Sequence, residues 1–203
     1  MNQFSGTSIS TGIGIGTAFV IPEQSKIEIT PAHIVPDTVD AGWRQFEAAR
    51  AAVATAVQSQ RDALPQGAAA DVDRTLLDSY LLMLDDAVFV NEIKCHYEKN
   101  LYTIAYAVTS KVQEYVAQLQ SVNDAYLSER AKDMTDIFGR VIRTMLNISC
   151  FDVAAVPAGA VVVADDICPA DMIVLAHKNI AGLVLARGGS VSHVAIIART
   201  YAL

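Results

Sequence analysis

The sequence predicts an α/β fold, a parallel-type sheet with its helices, carrying an inserted antiparallel four-helix bundle. Three observations predict it. From about Pro157 onward short apolar runs alternate with helical patterns in β-α-β-α order, which implies parallel strands. The middle of the chain carries four apolar stripes at helical spacing. The first segment holds one β-type run with no local partner, so that run is expected to join the later sheet, with the bundle inserted between strands of one domain.

Taken in order, residues 1–36 form the N-terminal strand segment. In Ile9-Ser-Thr-Gly-Ile-Gly-Ile-Gly-Thr-Ala-Phe-Val-Ile21, apolar residues alternate with Gly12, Gly14 and Gly16, and Pro22 stops the run. The glycines superficially suggest a dinucleotide loop. No strand precedes them and no helix follows, so the motif fails in context and reads as a Gly-rich strand.

Residues 37–147 form the helical domain. Val39, Trp43, Phe46, Val53 and Val57 lie on one stripe, with Asp37 or Thr38 placed to cap it. Leu76, Leu77, Tyr80, Met83, Leu84 and Val88 make a second stripe, capped by Asp71 or Asp73. Ala105, Val108, Val112, Tyr115 and Leu119 make a third, and Leu127, Ala131, Met134, Ile137, Phe138, Val141 and Met145 a fourth. Pro65-Gln-Gly67 and Ser121-Val-Asn-Asp124 interrupt the pattern. Short connections bring such stripes together in an antiparallel bundle.

Residues 148–203 form the second part of the α/β domain. Ala160-Val-Val-Val-Ala164 and Ile180-Ala-Gly-Leu-Val-Leu-Ala186 read as buried strands, Pro169 to Ala176 and Ser192 to Ala202 as helices.

The 203 residues include 15 basic and 22 acidic side chains, for a net charge of −7, and 52% are apolar. That apolar content excludes disorder. Net acidity with few Lys and Arg argues against a nucleic-acid or anionic-membrane surface. Cys95, Cys150 and Cys168 cannot all pair within the chain and show no CxxC spacing, as in a reduced protein. The first basic residue is Lys26, unlike a signal peptide, and no apolar run is long enough to span a bilayer. A cytoplasmic protein is expected.

The segment that carries chemistry is Ala186-Arg-Gly-Gly-Ser-Val-Ser-His-Val-Ala-Ile-Ile-Ala-Arg199. A buried strand ends, Gly188 and Gly189 permit a tight turn, and a helix begins near Ser192, so His193 falls in its first turn. Free backbone N–H groups and the positive helix end gather there, disfavouring imidazolium and favouring an arriving anion. The glycines allow a substrate close to the backbone. Together these suit covalent phosphoryl transfer through a phosphohistidine. Arg187 and Arg199 flank the turn and fit either charge screening or a surface role. His33, His96 and His177 lack ligand-spaced neighbours, and no metal set is visible.

Gly188-Gly189-x-x-Ser192-His193-x-Ala195-Ile196-x-Ala198-Arg199 resembles the phosphohistidine signature of the PEP-utilising enzymes, a family including enzyme I of the bacterial sugar phosphotransferase system and the pyruvate phosphate dikinases. Ile9-Ser-x-Gly12-Ile13-x-Ile15-Gly16-x-Ala18 and Tyr126-Leu-Ser-Glu-Arg-Ala-Lys-Asp-Met-Thr-Asp-Ile137 are similar to the opening strand and helical domain of the enzyme I branch. The resemblance implies a phosphoenolpyruvate-protein phosphotransferase in which His193 is phosphorylated from phosphoenolpyruvate. It then hands the group to a histidine-containing phosphocarrier protein, with Gly188, Gly189, Ser192 and Arg199 around the phosphate. It also implies carrier contacts at Asp71, Asp78, Tyr80, Leu82, Met83, Asp85, Leu127 and Arg130, an acidic and partly apolar face suited to a basic carrier rim.

Three departures stand out. Val191 replaces a usual Thr, Tyr80 stands where the family often has His, and Asp166-Ile-Cys168-Pro169-Ala-Asp-Met172 replaces a Thr-rich stretch. The family continues past the point matching Leu203 into a (β/α)₈ barrel that binds phosphoenolpyruvate and Mg²⁺. A cut fragment is therefore expected rather than a degenerate member, with no cofactor in this chain. Two other readings stay open: a swivelling phosphohistidine domain of a dikinase-type enzyme, against which the helical insertion argues, and a non-catalytic docking module.

Overall fold

The computed structural model describes residues 4–22, 28–148, 151–190 and 192–203; Cys150 and Val191 lie outside the described residues. The chain divides into two compact units. One comprises Met1–Ser25, Gly67–Ala69 and Phe151–Leu203, the other Lys26–Gln66 and Ala70–Cys150. The division therefore falls earlier than residue 36. The Ile34 N–H donates to the Leu101 carbonyl (2.7 Å) and the Thr103 N–H to the Ala32 carbonyl (2.8 Å), while His33 and Tyr102 form an antiparallel bridge. Those bonds hold the segment before Pro36 within the helical unit.

Five helices make up that unit among the described residues: α1 (Val39–Asp62), α2 (Ala68–Leu84), α3 (Ala87–Asn100), α4 (Ile104–Ser121) and α5 (Ala125–Met145). The second expected helix is thus two. Asp86 supplies the break, because its carboxylate accepts hydrogen bonds from the Val88 and Phe89 N–H groups (2.9 and 3.1 Å) and starts a new helix. The stripe of α3 is Phe89, Ile93 and Tyr97, all buried, whereas Val88, expected on the preceding stripe, is exposed. α3 ends at Leu101, whose φ of 51° is left-handed.

The remaining stripes are buried as expected where the helices meet. Phe46, Val53 and Val57 of α1, Val108 and Val112 of α4, and Met134, Ile137, Phe138 and Val141 of α5 are all buried. α5 packs along α4 and α1. Phe89 joins three helices, its ring 5.2 Å from Phe138 and 5.2 Å from Tyr115. Full burial of each such side chain contributes roughly 1.5–3 kcal/mol. Capping differs from expectation. The Thr38 hydroxyl donates to the Val35 carbonyl (2.8 Å) instead of capping α1, and α2 begins at Ala68, ahead of Asp71 and Asp73. Asp124 does cap α5, accepting from the Leu127 N–H at 2.9 Å.

The α/β unit holds β1 (Ala18–Val20), β2 (Val161–Ala164), α6 (Pro169–Ala176), β3 (Gly182–Leu185) and α7 (His193–Thr200). The strands are parallel in the order β1-β2-β3, with Ala18 opposite Val161 and Val161 opposite Gly182. The N-terminal run does join the later sheet, but its ladder covers only three residues. Upstream the chain runs close against the backbone at Gly159 and Ala181. A Cβ on Gly14 would stand 2.1 Å from the Ala181 carbonyl oxygen, and one on Gly16 2.1 Å from that of Gly159. Ile13 and Ile15 consequently face outward. α6 and α7 pack on each other, and Val162 and Ala164 are buried, whereas Val20 and Val184 on the other face are exposed.

No helix among the described residues is long and apolar enough to cross a membrane.

Candidate functional site

Parallel strands deliver their loops to one edge, and in the α/β unit β2 and β3 deliver residues 165–168 and 186–190 to the same edge. The ladder runs one residue beyond the strands. Ala186 N–H donates to the Ala164 carbonyl (3.0 Å) and Arg187 N–H to the Asp165 carbonyl (2.9 Å). The Arg187 guanidinium also pairs with the Asp165 carboxylate. The chain then turns at Gly188, whose φ of 142° suits glycine and strains other residues.

Ser192 is the N-cap of α7 and is bonded in two directions. Its hydroxyl accepts from the Ala195 N–H (3.3 Å) and donates to the Gly189 carbonyl (2.9 Å). His193 is therefore the first helical residue, and it is half-buried. Arg199, in the last turn, donates to the Ser190 carbonyl. Gly188, Gly189, Ser192, His193 and Arg199 thus stand on one turn and the helix that follows it. Val191 lies outside the described residues. The N–H groups of the first helical turn have no carbonyl within the helix to bond, so the place suits an anion beside an imidazole. Among the described residues no three His, Cys, Asp or Glu side chains gather as metal ligands.

In the helical unit, the residues that the resemblance assigned to a carrier fall into two groups and one misfit. Asp78 and Leu82 of α2 and Asp85, just after its end, line a groove of about 590 Å³, with Arg50, Ala51 and Ala54 of α1 opposite. Asp78 is paired with Arg61, which holds the guanidinium pKa above its ordinary value; Asp71 is exposed and paired with Arg74 (2.8 Å). Leu127 and Arg130, both half-buried, lie on α5. Arg130 donates to Ser79 of α2 and to the Tyr126 hydroxyl (3.0 Å), and stands over the Tyr126 ring. Met83 is half-buried. Tyr80 is the misfit: it is fully buried and cannot touch a partner. Its ring lies inward with Leu77 and Leu84 because these recur at three and four residues on one side of α2.

Sequence reasoning passed over Val72 and Tyr126 as surface contacts, although both are exposed large apolar side chains, on α2 and α5. Tyr126 was legible as the residue four before Arg130, the spacing at which two helical side chains meet.

A helical unit and a parallel α/β unit whose last helix opens on a Gly-Gly-turned histidine define the N-terminal architecture of a PEP-utilising enzyme. The chain belongs to that family: the family model for the PEP-utilising enzyme N-terminal region matches residues 5–130, and that for its mobile domain residues 156–203. Within it the similar curated proteins are phosphoenolpyruvate-protein phosphotransferases. That of Cupriavidus necator is 30% identical over 96% of this chain, and that of Haemophilus influenzae 29% identical over 99%. The chain spans only 34% and 35% of their lengths. The fold is similar to an NMR solution structure of an Enzyme I protein, with a TM-score of 0.81 and 24% identity, covering 95% of this chain and 77% of that one. It is also similar to the N-terminal domain of "Enzyme 1 - Nitrogen", with a TM-score of 0.65 and 18% identity, covering 96% and 79%.

Proposed function

We propose that this chain is the phosphohistidine and carrier-binding part of a phosphoenolpyruvate-protein phosphotransferase, with His193 as the group that carries phosphate. One observation carries the reading: His193 opens α7 at the C-terminal edge of β2 and β3, directly after a turn tied by Ser192, in a chain that both family models match.

The step follows from that geometry. The lone pair of a His193 ring nitrogen (Nε2 by the family resemblance) attacks the phosphorus of a carrier's phosphohistidine. A new N–P bond forms as the carrier's N–P bond breaks, and the electron pair returns to the carrier's imidazole. Donor and acceptor are both imidazoles of similar transfer potential, so the step is reversible and needs positioning and charge stabilisation more than chemical activation. Backbone N–H groups at the start of α7 would hold the phosphoryl oxygens.

Phosphoenolpyruvate is assigned to the remainder of the complete protein, along with the Mg²⁺ that the resemblance implies. The carrier partner is a small histidine-containing phosphocarrier protein, docking on the α2 and α5 surface that carries Asp78, Leu82, Asp85 and Arg130. A cytoplasmic location belongs to the same reading. The α1–α5 insertion favours this over a dikinase-type swivelling domain.

The test is to incubate the chain with carrier radiolabelled beforehand by a complete relative. Acid-labile, base-stable label at His193 is the expected result. Label on another residue, or none on the well-folded chain, overturns the reading.

A further inference from the structure

We infer that the Asp165–Arg187 pair is a positioning device for phosphoryl transfer, holding the turn that presents His193. The inference rests on the reading of His193 as the phosphate acceptor. Ala164 and Leu185 are the last paired residues of β2 and β3, and two more backbone bonds follow, from Ala186 N–H to the Ala164 carbonyl and, last, from Arg187 N–H to the Asp165 carbonyl at 2.9 Å. The side chains of the same two residues then close an ion pair across the strands. Next in the chain is Gly188, where the backbone turns with a φ of 142°. Arg187 is thus the final residue that sheet bonding holds before the turn leading to His193. Asp165 opens the loop that runs to the start of α6. One ion pair therefore joins both loops at the edge where the reacting histidine stands.

A role in stability explains the pair poorly. Its side chains are 54% and 31% exposed, and exposed pairs contribute about 0–1 kcal/mol. A role as a phosphate-screening cation also fits poorly, because the Asp165 carboxylate already offsets the guanidinium charge. What the pair does supply is a fixed relation between the end of β3 and the loop after β2. Small displacements at a reacting centre are costly to rate, up to roughly a hundredfold for about 1 Å. Arg187 and Asp165 are accordingly positioning residues that act through His193.

The test is a double-mutant cycle on the full chain: Asp165→Asn, Arg187→Gln and both together, with Arg187→Lys as the conservative variant. The readouts are the first-order rate of phosphoryl transfer from labelled carrier within the complex and, separately, the carrier Kd. Each single variant should slow transfer by roughly three- to tenfold, with Kd and thermal unfolding essentially unchanged. The double variant should be no slower than either single one, because the second removal breaks nothing further. Arg187→Lys should recover most of the rate. An effect of Arg187→Gln without one of Asp165→Asn overturns the inference, since Arg187 would then act as an independent cation. Multiplying effects, or no effect of either, overturn it equally. Absence of label on the wild-type chain, or label away from His193, brings down the proposed function instead.

Discussion

The guanidinium of Arg199 donates a hydrogen bond to the carbonyl of Ser190. Side chains of an α-helix lean toward its N-terminus, so a residue in the last turn of α7 reaches back to the turn that precedes His193. With Ser192 bonded to Gly189, and Arg187 to Asp165, the chain around His193 is held at successive points. A cradle for a phosphoryl group gains from such preorganisation because its donors need no rearrangement as charge arrives.

His193→Ala is expected to abolish acceptance of phosphate from labelled carrier. His193 is only half-buried, and the cap of α7 comes from Ser192, so far-UV CD and the thermal midpoint should stay close to wild type. Label taken up by the variant at His33, His96 or His177 would show the assignment to be wrong.

Asp85→Lys is the cleanest probe of the proposed docking face. Asp85 is exposed and its carboxylate has no partner among the described residues, whereas Asp78 is shared with Arg61. Reversal at Asp85 should slow association with a basic carrier by on the order of tenfold at low ionic strength, the loss shrinking as salt screens the charges. Stopped-flow binding at two salt concentrations measures this. A carrier association rate unchanged at low salt would exclude this face.

Gly16→Ala is expected to destabilise the α/β unit by about 2–3 kcal/mol, because its Cβ would sit 2.1 Å from the Gly159 carbonyl oxygen and backbone must move. Gly182→Ala, where a Cβ meets nothing within 4 Å, is the matched control and should shift stability by no more than about 0.5 kcal/mol. Urea melts of both decide it. Equal effects would mean that the N-terminal segment does not lie against that loop.

Tyr97 supplies an alkaline limit to stability. Burial, with a smaller contribution from Asp40, raises the pKa of its hydroxyl, which donates to the Val39 carbonyl at 3.1 Å. A raised folded-state pKa means that the neutral form is favoured in the fold. Its stabilisation is complete below the ordinary tyrosine value, about 10, and is lost as pH rises above it. Lys111, raised by Glu114, acts in the same direction. Tyr97→Phe should therefore be less sensitive than wild type between about pH 9 and 11 in denaturant melts. Parallel curves for the two proteins would contradict the buried ionisation.

Gly42 faces the same hydroxyl, and a Cβ at this position would stand only 2.2 Å from the Tyr97 oxygen. Gly42→Ala should cost about 1–2 kcal/mol despite alanine's better helix propensity. Adding Tyr97→Phe should recover part of that loss in a double-mutant cycle. Full additivity of the two changes would separate these residues.

Local information in the chain determined a good deal. Spacing of three and four identified the buried faces of α1, α4 and α5, since a helix that must bury one side repeats its apolar residues at its own period. The two glycines, the serine cap and the histidine are consecutive or nearly so, and the start of α7 can be read from them without knowing anything distant. Tyr80 belongs to the apolar stripe of α2, so its spacing already placed it inward; its fully buried position in the structure rules out the partner contact that the resemblance implied. The tertiary structure decided what periodicity leaves open. The break at Asp86 was hidden because Val88 prolongs the spacing of the preceding stripe, while the side chain of Asp86 favours a new helix start. The pairing of Asp165 with Arg187 joins residues far apart in sequence, and neither carries any local mark of the other. It exists because parallel strands in register end side by side, and register is set by burial across the whole sheet rather than by either segment alone.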